Sequence, residues 1–128
     1  MSNKTVRGVV VGHGDFASGL VSAVQQICGR ADVFVAVSNR DYPPQELERV
    51  LREYVAGGAE IVFTDLPGGS AATAARRVMR DHPGLVLVTG ANLAALLEFA
   101  LGEQCGPSTA GRTAVEKGRS AMNSSGGE

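Results

Sequence analysis

Two short segments of this chain combine residue types that can accept and hold an anionic group. The first is Gly12-His13-Gly14-Asp15. Glycines carry no side chain to cover a neighbour, so the imidazole of His13 stands open to solvent. Phe16, Leu20, Ala23, Val24 and Ile27 follow at helical spacing, which puts His13 just before a helix. Backbone N–H groups at a helix start are unpaired, and the helix dipole favours an anion there. A neutral imidazole in that position is a competent nucleophile toward phosphorus. Taken alone, a loop histidine is more often a surface residue or a cap than a catalyst.

The second segment is Asp65-Leu66-Pro67-Gly68-Gly69-Ser70. Asp65 directly follows an apolar run. If the strands are ordered 2-1-3-4, Asp65 and His13 face each other across the point where the order reverses, which is where such sheets bind ligands. A carboxylate there accepts Nδ1–H, fixes the tautomer and leaves Nε2 free to attack. Gly69 permits close backbone approach, Ser70 offers a hydroxyl and an N–H to phosphate oxygens, and Gly14 in the first loop is a further phosphate-binding candidate through its backbone. Each residue also has a plain reading: an Asx turn for Asp65 and a helix N-cap for Ser70. Their joint placement favours the chemical one. His82, between Asp81 and Pro83, has no glycine cradle and reads as structural.

The elements that must position these loops are legible from periodicity. Val6–Val11, Val33–Val37, Ile61–Thr64 and Leu85–Thr89 read as short strands covered on both faces. Between them, helices are predicted after Gly14, from Pro43-Pro44 to Gly57, over Ala71–Arg80 and over Leu93–Leu101, the last capped by Asn92. Alternating strands and helices predict an α/β fold: a doubly wound parallel sheet with helices on both faces and right-handed crossovers. Gly106-Pro107 reads as a turn. Thr109–Met122 fits a weak helix or a helix ending in a short strand. Residues 1–122 form one expected domain, and 123–128 an expected disordered tail.

Composition narrows the classes. With 128 residues, one core is expected. Twelve basic and 13 acidic residues give a net charge of −1 and no basic stripe, so no nucleic-acid partner is expected. Cys28 and Cys105 stand far apart without a CxxC, and no metal site is expected. No apolar run approaches the ~20 residues of a membrane span, and the first residues lack a signal-peptide layout, which points to a cytoplasmic protein.

Four stretches together resemble the enzyme IIA domain of the mannose family of the bacterial phosphoenolpyruvate:sugar phosphotransferase system. They are Gly12-His13-Gly14-Asp15-Phe16-Ala17-Ser18-Gly19-Leu20, Phe63-Thr64-Asp65 with Gly68-Gly69-Ser70, Thr89-Gly90-Ala91-Asn92-Leu93, and Ala114-Val115-Glu116-Lys117-Gly118-Arg119. The resemblance implies a flavodoxin-like sheet ordered 2-1-3-4 and a protein-histidine phosphotransferase with no cofactor. In it His13 receives a phosphoryl group through Nε2 from phospho-HPr and passes it to IIB, serving sugar uptake through the membrane components IIC and IID. It implies that Asp65 pairs with that histidine, that Ser70 sits beside the phosphate, and that the protein is a homodimer, in some relatives by exchange of C-terminal strands. The second loop departs from the family pattern: Leu66-Pro67 precede the glycines, and Ala71-Ala72-Thr73 replace Pro-Phe-Asn. Two alternatives accompany this reading. One is a phosphorylation sensor of the same fold uncoupled from transport. The other is a small nucleotide-binding module built on Gly12-x-Gly14 with Ala17, a loose form of the dinucleotide pattern.

Overall fold

The computed structural model describes residues 6–102 and 106–127. Four strands, β1 (Gly8–Gly12), β2 (Phe34–Ser38), β3 (Ile61–Thr64) and β4 (Val86–Val88), form one sheet in the order 2-1-3-4. All three pairings are parallel. Five α-helices connect or follow them: α1 (Phe16–Cys28), α2 (Pro44–Ala56), α3 (Ser70–Met79), α4 (Leu93–Leu101) and α5 (Pro107–Ala121).

Successive strand side chains point to opposite faces, and the core divides accordingly. Val10, Phe34, Ile61 and Phe63 point toward α1, α4 and α5, where Val24, Leu96, Phe99 and Ala114 meet them. On this face the rings of Phe34, Phe63 and Phe99 pack with centroids 5.5–6.0 Å apart. Val9, Val11, Val37 and Val62 point the other way, onto Leu47, Leu51, Ala71, Ala75 and Val78 of α2 and α3. Small residues let α3 lie close to the sheet: Ala71, Ala72, Ala74 and Ala75 are all buried. The alanines that depart from the family pattern after Ser70 are therefore packing residues, while Thr73 is exposed.

Element ends shift by one or two residues from expectation, and some faces differ. β1 begins at Gly8 rather than Val6. Ile27, expected to face inward, is 58% exposed; α1 packs through Ala17, Leu20, Val21, Val24 and Cys28 instead. A stripe through 17, 21, 24 and 28 keeps the 3.6-residue period better than one ending at 27. On α4 the buried positions are Ala95, Leu96, Phe99 and Ala100, with Leu93 and Leu97 only partly covered. Asn92 caps α4 as expected, its Oδ1 accepting from the Ala95 N–H at 3.0 Å.

Residues 109–121 are helical throughout, within an α5 that opens at Pro107, so Gly106-Pro107 is a helix start. Gly111 seats α5 on the sheet edge: a Cβ there would lie 2.7 Å from Val86 Cγ1. Residues 122–127 are exposed and carry no regular secondary structure, and no strand follows α5 among the described residues. Cys105, and residues 1–5 and 128 of the expected domain and tail, lie outside the described residues.

Candidate functional site

Strand register places the site residues before any side chain is considered. Gly12 pairs with Ser38 of β2, and Val11 pairs with Thr64 of β3. One step further along each strand, His13 comes level with Asn39 and Asp65 comes level with Gly12. The carboxyl ends of the three adjacent strands therefore converge where the strand order reverses.

His13 and Asp65 are joined twice. The Oδ2 atom of Asp65 accepts the backbone N–H of His13 at 2.9 Å and lies 2.8 Å from its ring Nδ1. The Asp65 side chain is 14% exposed and that of His13 61%. Burial alone pushes the Asp65 carboxyl upward; the His13 backbone N–H and then its ring pull it down more strongly, leaving it below its ordinary value of 3.8. A carboxylate only accepts hydrogen bonds, so Nδ1 carries a proton, and the tautomer this selects for a neutral ring leaves Nε2 with a bare lone pair.

Gly12 makes this approach feasible. A Cβ at position 12 would lie 2.8 Å from Asp65 Cγ and Oδ2, and 2.8 Å from Phe16 Cδ2. Gly14 turns the chain into α1 with φ +53°, a region that L side chains rarely adopt. The carbonyl of His13 accepts the Phe16 N–H at 3.0 Å, closing the loop onto the helix.

The second loop is clamped from both ends. The buried Thr64 hydroxyl donates to the Leu66 carbonyl at 2.9 Å, and Arg76 of α3 donates to the Pro67 carbonyl at 2.9 Å. Gly69, with φ +92°, precedes α3 and lies against the His13 ring; its Cβ position is 3.9 Å from His13 Cε1. No side chain caps α3, whose first intrahelical bond runs from the Thr73 N–H to the Gly69 carbonyl. Its leading N–H groups are thus open beside His13.

Ser70, the first residue of α3, makes no hydrogen bond to His13. Its Oγ accepts from Asn39 Nδ2 at 3.2 Å. Asn39 belongs to a short turn, Asn39–Asp41, fixed by a bond from the Arg40 N–H to Ser38 Oγ at 3.2 Å. Arg40 then pairs with Asp15 at 3.0 Å over the start of α1. At the end of β2 the sequence shows Asn39-Arg40-Asp41, a poor match to the acidic residue a dinucleotide pattern needs; the strand-end rule that singles out His13 and Asp65 also points to Asn39 and Arg40. His82 sits before β4, at the opposite end of the sheet from His13.

The His13 ring is exposed to solvent. One cleft of about 390 Å³ lies between β4 and α5 beside Asn92 and Val115, and one of about 360 Å³ lies between α2 and α3 with Ser70 on its border. No group of three or more potential metal ligands occurs among the described residues, and none of their helices is long and apolar enough to cross a membrane.

A doubly wound parallel sheet of order 2-1-3-4 with a His–Asp pair at its switch point defines the class of domain. The model of the EIIA-man family, described as the PTS system fructose IIA component, matches residues 8–114, and the chain belongs to that family. Solved structures agree on the fold. Phosphotransferase system component EIIA from Streptococcus agalactiae superposes with a TM-score of 0.84 at 19% identity, over 92% of this chain and 95% of that one. The mannose/sorbose specific IIA subunit from Enterococcus faecalis gives 0.81 at 24% identity, over 95% and 96%. The PTS IIA protein associated with the fucose utilization operon of Streptococcus pneumoniae gives 0.73 at 20% identity, over 97% and 96%. No curated protein sequence matches the chain significantly.

Proposed function

We propose that this protein is a phosphocarrier: His13 accepts a phosphoryl group on Nε2 from phospho-HPr and hands it to a histidine of IIB, in the service of sugar uptake through IIC and IID. One observation carries the reading, the 2.8 Å contact between Asp65 Oδ2 and His13 Nδ1. It presents Nε2 unprotonated at an exposed ring, as attack on phosphorus requires.

The Nε2 lone pair forms the new N–P bond as the bond from phosphorus to the donor's ring nitrogen breaks. That pair of electrons returns to the donor ring. The His13 ring becomes cationic, its proton stays on Nδ1, and the Asp65 carboxylate offsets the charge. The leading N–H groups of α3 and the Ser70 hydroxyl face the phosphoryl oxygens, with Gly69 and Gly14 allowing the backbone to come close. Transfer onward repeats the step with the roles exchanged. An exposed ring suits a donor and an acceptor that are themselves proteins.

The nucleotide alternative rests on the loose Gly12-x-Gly14 pattern, with open space at Gly14, and titration of the protein with labelled nucleotides tests it. The sugars named for the solved relatives differ from one another, so the sugar is not assigned. Deleting the gene and following uptake of single sugars tests the transport role. Loss of uptake of one sugar supports it, and unchanged uptake of all of them supports a phosphorylation sensor. The proposed homodimer is tested by sedimentation of the intact chain.

A further inference from the structure

We propose that Asn39 is a positioning residue: it aims the Ser70 hydroxyl at the phosphoryl group carried by His13. This rests on the phosphocarrier reading above. A serine hydroxyl has one hydrogen to donate and two lone pairs. Asn39 Nδ2 donates to Ser70 Oγ at 3.2 Å, so one lone pair is occupied and the hydrogen remains to be given away. Among the described residues Asn39 is the hydroxyl's one hydrogen-bond partner. An anion at the start of α3 is the acceptor that completes the set.

Placement supports the role. Asn39 follows β2 and Ser70 opens the helix after β3, and these strands flank β1 on either side. The Asn39–Ser70 bond therefore ties the two neighbours of β1 together beside the end of β1, where His13 stands. Asn39 itself is half-buried and held in its turn by the Ser38 hydroxyl. The amide does not touch the reacting atoms. It acts through Ser70, and its influence should vanish when that hydroxyl is gone.

The test uses the full-length protein with phospho-HPr, following the rate of label uptake and the lifetime of the phosphorylated form, in Asn39→Ala, Asn39→Asp, Ser70→Ala and Asn39→Ala/Ser70→Ala. Asn39→Ala is expected to slow uptake about fivefold, the worth of one neutral hydrogen bond. Asn39→Asp, isosteric but only an acceptor, draws the hydroxyl hydrogen to itself and is expected to slow uptake further. In the Ser70→Ala background, Asn39→Ala is expected to change nothing. Equal slowing in both backgrounds, or no slowing with Ser70 present, overturns the proposal. Failure of the unmutated protein to take up label overturns the phosphocarrier reading instead.

Discussion

One oxygen of Asp65, Oδ2, receives both the backbone N–H of His13 at 2.9 Å and contact with its ring Nδ1 at 2.8 Å. The double attachment fixes the loop and the ring together. Orientation of the ring is thus set by the backbone position of the same residue, and Nε2 has little freedom other than to face outward.

Asp65→Ala is expected to slow phosphoryl uptake by about a hundredfold, the usual worth of an oriented proton partner, while the fold persists. Stopped reactions with labelled phospho-HPr measure the rate, and circular dichroism checks the fold. A rate within twofold of the parent removes Asp65 from its role.

The lowered Asp65 carboxyl sets a sign for pH dependence. The folded carboxylate binds its proton more weakly than the unfolded one, whose ordinary value is 3.8. Its contribution to stability is complete above that value and is lost as pH falls through the lower folded one. The gap in Tm between the parent and Asp65→Asn should therefore be wider at pH 7 than at pH 3. A gap that grows on acidification contradicts the assignment.

Gly12→Ala drives a methyl group into Asp65 and Phe16, at 2.8 Å from each. Overpacking of this kind costs about 1–3 kcal/mol. Uptake should fall along with Tm, because the carboxylate must leave His13 to make room. Gly19→Ala, on an open face of α1, should instead raise stability by about 0.5–1 kcal/mol and leave uptake alone. Thermal melts and label uptake on both variants separate crowding of the site from a general glycine effect.

Arg40 and Asp15 form an ion pair with both side chains mostly exposed, 60% and 83%. Solvent screens such pairs and side-chain ordering offsets their attraction. Arg40→Gln should leave Tm within experimental error, and a clear drop would show that the turn after β2 depends on the pair.

Much of this was legible in the residues. Apolar runs bounded by glycine and proline gave the four strands, because buried parallel strands leave little else for such runs to do. Their order came with the family resemblance, and that order pairs His13 with Asp65. Ile27 misled because an apolar residue near a helix end need not face inward. α5 was ambiguous because its buried positions are Gly111, Ala114 and Gly118, which carry almost no hydrophobic signal. The end of β2 marked the place of Asn39, but its hydrogen bond to Ser70, 31 residues away, depends on how α3 seats on the packed sheet.

The central claim is that Nε2 of His13 carries the phosphoryl group. The direct measurement is phosphorus and nitrogen NMR of the protein after incubation with phosphoenolpyruvate, enzyme I and HPr, beside His13→Ala. The account predicts one acid-labile phosphohistidine, with phosphorus bonded to Nε2, in the parent protein and none in the variant. Phosphorus on Nδ1, equal labelling of both proteins, or no label with a competent HPr from the same source would contradict it.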